Sequence, residues 1–447
     1  MPRAGLSAFV YPVHRSLTVG LYAAVQEQIR VRETDDRGDS SYSAWLSGSK
    51  QQNFADLKLL HGLLRAFPIT AVGWRADFWI VPVFFGVDSA VFSSGVGCSQ
   101  CFSQHAASGF RVDQLAFYNE RTRDRHLFLG AAEATFLPTF VQEQPFLLSF
   151  GPRWPRARGH IVVPAHWAPT FRGARDGGRR WLLQYTTGPG RKEARDISVV
   201  WAAGMNLRSR FSADCRRFLW HQMAALRDTL SRPEHGGVLK DLGARSGVVL
   251  GDKDPLTPAA FRALEKQMAD SLLCVVPPGD ESYMQRLVLA VQVGCVPVVV
   301  VFRSHEPGEV SYMQPNGPPL SSALPFADIF PYRNLTVEIP FERVLNHTAG
   351  EVFFTITPAM VAARQQLLGD LRRLWDLEGE GMTEVVRRVA LYVEEAKASR
   401  ARATCVRTAE VSGFNPSWAY PEHVCLPPDA PEHVCLPPDA PEHVCLP

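Results

Sequence analysis

Residues 277–286 read Pro-Pro-Gly-Asp-Glu-Ser-Tyr-Met-Gln-Arg, a short stretch dense in groups that can bind an anion. Pro277, Pro278 and Gly279 turn the chain sharply. Asp280, Glu281 and Ser282 follow in the turn, and Arg286 brings a planar guanidinium that forks onto phosphate oxygens. The flanks say what must position this loop. "SLLCVV" (271–276) and "VPVVVVF" (296–302) are apolar runs of the kind found in parallel strands buried on both faces. Between them Met284, Leu287, Val288 and Val291 recur at i, i+3, i+4 and i+7, which predicts a helix. Ser282, Arg286 and Leu289 fall on its other face. Ligands of open α/β sheets gather beyond the carboxyl ends of strands, and a helix N-terminus there offers free N–H groups to an anion. The stretch is therefore a candidate phosphate or sugar-nucleotide site. It also fits an ordinary strand-to-helix turn that binds nothing.

Composition narrows the field. The chain has 447 residues, more than one compact core usually holds, so two domains are expected. Its formal net charge of +2 gives no electrostatic footprint for nucleic acid or an acidic membrane surface. No run reaches the roughly 18 apolar residues of a membrane span, and the N-terminal residues have no signal-peptide core. Nine cysteines do not make a disulfide framework in a chain this long. Cys98 and Cys101 form a lone Cys-x-x-Cys, a local disulfide or a pair of free thiols, since zinc needs further ligands. Asp252-Lys253-Asp254 has the form of a metal–nucleotide motif. It precedes Pro255 in a polar turn before a helix starting near Thr257, where turn and capping chemistry account for it. No metal site or cofactor is expected.

The ordered run of Cys274, Pro277, Gly279, Arg286, Ala290, Gly294, Cys295, Pro297 and Val298, then Leu324, Pro325 and Phe326, resembles the signature of exostosin-family glycosyltransferases. Earlier segments resemble the family less closely: "AFVYPV" (8–13), "RADFWIVPVFFG" (75–86), "DRHLFL" (124–129) and "GHIVVPAHW" (159–167), where His160 stands in an aspartate's place. "RRWLLQYTTGPGR" (179–191) resembles the opening strand of the family's second domain, ending in Gly188-x-x-Arg191. Two positions depart from the pattern. Leu289 stands where the family has an acid that holds the donor's ribose, and Met284 stands where it has a serine.

The resemblance implies an α/β fold of GT-B type, with two Rossmann-like domains facing a cleft and a disordered C-terminal tail. Residues 1–175 would form the acceptor-side domain. Residues 176–405 would form the nucleotide-sugar-binding domain with closing helices, and residues 406–447 the tail. It implies a hexosyl- or pentosyltransferase, inverting, that uses a UDP-sugar or other nucleotide sugar as donor and a glycan as acceptor. The donor would be held by Gly188, Arg191, Pro278, Gly279, Asp280, Glu281 and Arg286. A base is needed to take the acceptor's proton; Asp124, His126, His160 and His166 are the candidates. The alternative is a non-catalytic relative that binds a glycan or a partner glycosyltransferase, which Leu289 and Met284 favour. The family implies the Golgi lumen or membrane. Asn334-Leu335-Thr336 and Asn346-His347-Thr348 are N-glycosylation triplets in keeping with that.

"FADLKLLHGLLRAF" (54–67) reads as a helix with Phe54, Leu57, Leu60, Leu64 and Phe67 on its apolar stripe. Residues 358–399 read as long helices able to pack back across the domains, and Phe330 and Tyr332 as part of a connecting loop. From Pro421 the decapeptide "PEHVCLPPDA" repeats, rich in proline and unable to build a core. Each unit carries His-x-Cys (His423/Cys425, His433/Cys435, His443/Cys445), the residue types of a metal tail, although proline-rich tails usually serve as linkers.

Overall fold

The valine run after Cys295 is the spine of a parallel sheet. The computed structural model describes residues 5–13, 55–85, 110–131, 137, 139–150, 159–164, 197–201, 210–230, 246–250, 258–279 and 285–411, apart from 313 and 378. The Cys98/Cys101 pair, Asp252–Asp254, the strand expected over 179–191 and the decapeptide repeat lie outside them. Within them, two sheets alternate with helices to make an α/β fold.

In the first sheet β1 (Ala8–Val10), β2 (Phe78–Val81), β3 (His126–Gly130), β4 (Phe146–Ser149) and β5 (Gly159–Val162) lie side by side in chain order, all parallel. Strands β2, β3, β4 and β5 are buried along their whole length, which is why they read as apolar runs rather than alternations. One face packs on helix α1 (Ala55–Ala66), whose Ala55, Leu59, Leu60 and Leu63 are buried. Helix α1 stands where the periodicity puts it, but turned slightly: Leu63 faces the sheet and Leu64 is exposed. The other face carries a second apolar cluster built on Tyr11, Trp79, Val81, Phe85, Phe110 and Phe128.

The second sheet has the order β10-β9-β8-β6-β7, from β6 (Ile197–Trp201), β7 (Ser246–Leu250), β8 (Ser271–Val276), β9 (Val296–Arg303) and β10 (Val310–Ser311), with β11 (Val337–Pro340) also on β9. All pairings are parallel except β10 with β9. From β6 the chain goes out to β7 and then returns to β8 on the other side. The direction of winding reverses between β6 and β8.

Helices α2 (Arg210–Leu230), α3 (Pro258–Ala269), α4 (Gln285–Val293), α5 (Phe341–Leu345) and α6 (Pro358–Leu374) surround this sheet. Phe330 and Tyr332, expected in a connecting loop, belong to its core. Tyr332 donates its hydroxyl to the Pro325 carbonyl at 2.6 Å and accepts from the Trp375 indole at 3.1 Å. Phe326, the last residue of the Leu-Pro-Phe motif, takes a left-handed φ of 58°. Its carbonyl accepts from the N–H groups of Ile329 and Phe330, and its ring lies under the Arg388 guanidinium at 5.2 Å.

The last helix, α7 (Glu380–Val411), is expected to reach back and does so. Val385, Val389, Val393 and Ala396 are buried along one stripe. Its first turns pack on α6, and Met382 lies so close to Gly62 of α1 that a Cβ there would collide with it. Farther on, the Tyr392 ring meets Phe146 with centroids 4.4 Å apart and closes over Gly159, where the Pro145 carbonyl and Tyr392 leave no room for a Cβ. Three ion pairs fix it: Arg388 with Asp328, Lys397 with Asp77, and Arg400 with Asp124. Asp77 and Asp124 stand just before β2 and β3, so α7 is tied to the amino end of the first sheet.

The Arg400–Asp124 fork is expected to couple by about 1 kcal/mol, the scale of a partly exposed pair with good geometry. A double-mutant cycle of Asp124→Ala and Arg400→Ala in urea should return that coupling at low salt and less at high salt.

Candidate functional site

The reversal of winding between β6 and β8 is the place, at the strands' carboxyl ends, where open α/β sheets bind ligands. Val276 ends β8 there, and Pro277, Pro278 and Gly279 leave the sheet at that point. Two side chains of α2 hold this loop by its carbonyls. Arg216 Nε donates to the Pro278 carbonyl at 2.9 Å, and Ser212 Oγ donates to the Gly279 carbonyl at 2.8 Å. The opening turn of α2 is thereby brought beside the loop. Helix α4 follows the same loop in the chain and carries the half-buried Arg286. The buried Arg216 guanidinium thus stands at the end of β8 beside the loop, a group suited to an anion.

Pro278 is buried and Gly279 half-buried. Gly188, Arg191, Asp280, Glu281, Ser282 and Met284 lie outside the described residues. Arg216 and Ser212 were not legible as site residues. One signal was present: on α2 the buried positions Ser212, Cys215, Leu219, Met223 and Leu226 form a helical stripe, and Arg216 sits beside it with only 8% of its surface exposed. A charge on a buried stripe asks for a partner. The same helix carries the buried Gln222, which donates to the Val344 carbonyl at 2.8 Å and accepts from Ala349 N–H at 3.0 Å. Cys215 is a free buried thiol, pushed up to about 12 by burial and so unreactive.

The far end of the crossover is closed by four of the signature residues. Gly294, at φ 69°, ends α4 in a left-handed turn. Cys295 N–H bonds to the Ala290 carbonyl at 3.0 Å and Gly294 N–H to that of Val291 at 3.2 Å, the two bonds of a Schellman cap. The turn aims Cys295 at Cys274 on β8, and the two form a disulfide with Cα atoms 5.8 Å apart. Pro297, which has no N–H to donate, stands opposite Cys274 at the start of β9. This bridge was not anticipated.

Leu289 is not on an open face. It is 1% exposed and part of the core, as are Leu287, Val288, Ala290 and Val291. The face of α4 that periodicity leaves for solvent is covered, because α3 and α6 both pack against this helix. A carboxylate introduced there would be buried among apolar side chains. Leu289→Glu is therefore expected to cost about 3 kcal/mol or more of stability, read as a lowered urea midpoint, rather than to gain a nucleotide contact.

The residues proposed as bases stand elsewhere. Asp124 is occupied by the Arg400 fork at the amino end of the first sheet. His160, the second residue of β5, is 2% exposed and shares a hydrogen bond of 2.8 Å with the Gln144 carbonyl. His166 lies outside the described residues. His126 opens β3 and is completely buried, stacked on Trp79 at 4.8 Å. Its Nδ1 lies 2.9 Å from the Thr122 carbonyl, which can only accept, so Nδ1 carries the proton. Its Nε2 accepts from the Tyr11 hydroxyl at 2.8 Å, and that oxygen in turn accepts from Phe117 N–H at 3.1 Å. Both ring nitrogens are engaged within the core. At the opposite, carboxyl edge of this sheet stands a buried carboxylate that sequence reading passed over. Asp56, in the first turn of α1, accepts from Ala131 N–H at 2.6 Å just past the end of β3.

Burial is the main cause that pushes the His126 imidazole down to about 4 from its ordinary 6.5, with the neighbouring Arg125 and Arg400 charges adding to it. The unfolded chain takes up this proton near pH 6.5 and the folded chain does not. The contribution of His126 is therefore complete above pH 6.5 and declines as pH falls toward 4, by roughly 3 kcal/mol over the window. Urea unfolding at pH 7.5 and 4.5 should show this loss in the wild type and a smaller one in His126→Gln.

The profile of the exostosin GT47 domain matches residues 115–352, more than half of the chain, from the turns before β3 to the 3-10 segment after α5. A search of the curated proteins finds no match. The matched span contains the strand-end loop, the disulfide crossover and the Leu-Pro-Phe turn. The chain belongs to the exostosin GT47 family of glycosyltransferases.

Proposed function

We propose that this chain transfers a sugar from a nucleotide-sugar donor, a UDP-sugar by resemblance, to a glycan acceptor with inversion at the anomeric carbon. The two sheets, each with its helices, would be the halves of a GT-B arrangement, with residues 1–175 on the acceptor side and residues 176–405 on the donor side. The observation that carries the reading is the convergence at the switch point of the second sheet. There Ser212 and Arg216 of α2 hold the Pro278–Gly279 turn, and α4, which carries Arg286, follows it in the chain.

In this reading the acceptor oxygen attacks the anomeric carbon and loses its proton to a base, while the bond from that carbon to the diphosphate breaks. Charge accumulates on the departing diphosphate, where fixed positive groups stabilise it most. Arg286 and the helix openings are assigned that task, with Gly188, Arg191, Asp280 and Glu281 completing the donor site. No metal is required, because the cations are supplied by side chains.

One observation favours a second reading, a non-catalytic relative that binds a glycan or a partner glycosyltransferase. Leu289, at the family's acid position, is sealed in the core and offers the donor's ribose nothing. Either way the lumen of the Golgi is the proposed location. The Cys274–Cys295 bridge fits an oxidising compartment. No helix of the described residues is long and apolar enough to cross a membrane.

Calorimetry with UDP and the other nucleoside diphosphates separates the two. A transferase should bind one of them, and Arg286→Ala should weaken that binding tenfold or more, roughly 1.4 kcal/mol or above. Wild-type protein that binds no nucleotide would overturn the transferase reading in favour of the second.

A further inference from the structure

Three side chains with large exposed apolar area belong to elements that meet. Phe218 of α2 is 48% exposed, Leu345 of α5 is 55% exposed and Phe354 of the 3-10 segment Ala349–Thr355 is 41% exposed. Helix α2 packs against both of the other elements, and Gln222 pins them to it through the Val344 carbonyl and the Ala349 N–H. Arg343 and Glu351 add an ion pair between α5 and the 3-10 segment. The chain that joins those two crosses this face as an exposed turn. His347 takes a left-handed φ of 59°, and its ring meets that of Phe218 at 6.2 Å. Large exposed apolar side chains gathered on packed elements mark surface that is usually covered by something.

The turn itself names a cover. Asn346 is exposed, and with Thr348 two residues on it completes an Asn-x-Thr acceptor triplet. We propose that Asn346 carries an N-linked oligosaccharide whose first sugars lie over Phe218 and Leu345. In the step that installs it, the Asn346 side-chain nitrogen forms a bond to the anomeric carbon of a lipid-diphosphate-linked oligosaccharide. The bond from that carbon to the diphosphate breaks, the lipid diphosphate leaves, and the amide gives up one proton.

The chain's other triplet is differently placed. Asn334 is exposed as well, but Thr336 is 1% exposed. The Thr336 hydroxyl lies 2.8 Å from the Tyr312 hydroxyl and donates to the Tyr332 carbonyl at 3.3 Å. Val337, the next residue, begins β11. Once β11 pairs with β9, the hydroxyl that completes that triplet is enclosed. Thr348 stays half-buried beside an open turn. Asn346 is thus the preferred site of the two, and no large exposed apolar side chain adjoins Asn334 in sequence, where its neighbours are Arg333 and the buried Leu335.

The inference rests on the lumenal reading above, and one peptide map tests both. Full-length protein from the cells that make it is digested without reduction and analysed by mass spectrometry before and after peptide-N-glycosidase. The expected map shows the Cys274–Cys295 cross-link, a glycan on Asn346, and conversion of Asn346 to aspartate by the enzyme. Asn346→Gln and Thr348→Ala should each remove the mobility shift that the enzyme causes in the wild type, and Asn334→Gln should leave it. The two site variants should also bind more of an apolar dye than the wild type. A closed cross-link with unmodified Asn346 overturns the glycan inference and leaves the lumenal reading standing. A free Cys274 thiol together with unmodified Asn346 overturns both.

Discussion

The crossover from β8 to β9 must do two things that pull in opposite directions. It must bury an apolar helix on a parallel sheet, and it must leave the sheet in a turn open enough for a ligand. The Cys274–Cys295 bridge reconciles them. It ties the exit of α4 to the middle of β8 across a 21-residue separation, which removes about 3 kcal/mol of freedom from the unfolded chain. With that end fixed, the position of α4 against β8 is constrained at its exit. Two side chains from α2 hold the loop at 277–279. Most of the signature residues serve this framework. Gly294 caps, Cys274 and Cys295 bridge, Pro297 starts a strand, and Phe326 folds a turn under Arg388.

That division explains what could be read beforehand. Strands β8 and β9 were legible because a parallel strand buried on both faces leaves an uninterrupted apolar run. The last helices were legible because helical periodicity over so many residues has few rivals. Strands β6 and β7 are five residues each and sit among charged or glycine-bearing neighbours, so no period distinguishes them. Leu289 was placed on an open face because a helix was assumed to have one, whereas α4 is covered by α3 and α6. Burial on that side is decided by α3 and by α6, the latter some seventy positions away, and no local pattern contains either.

The candidate site was less legible than the fold for a related reason. Arg286 could be named because it stands beside the loop in sequence. Arg216 is 62 positions from its partner carbonyl, and its role exists only once α2 has docked. The histidines illustrate the converse. A histidine in an apolar run invites a catalytic reading, but His126 has its two nitrogens satisfied by Thr122 and Tyr11 and its ring pressed against Trp79. It behaves as an aromatic core residue with two polar handles, held neutral by its surroundings.

The path of α7 bears on how the protein is made. The first sheet is covered at β4 and β5 by Tyr392, a side chain that leaves the ribosome long after β1 to β5. Until α7 arrives, Phe146 and the floor at Gly159 have no lid, and Asp77 and Asp124 have no cations. The N-terminal half must therefore wait through the synthesis of the second sheet with part of its apolar face uncovered. Such a nascent chain is an apt client for a chaperone, and a premature stop before residue 392 would release a product that lacks the cover over Phe146 and Gly159.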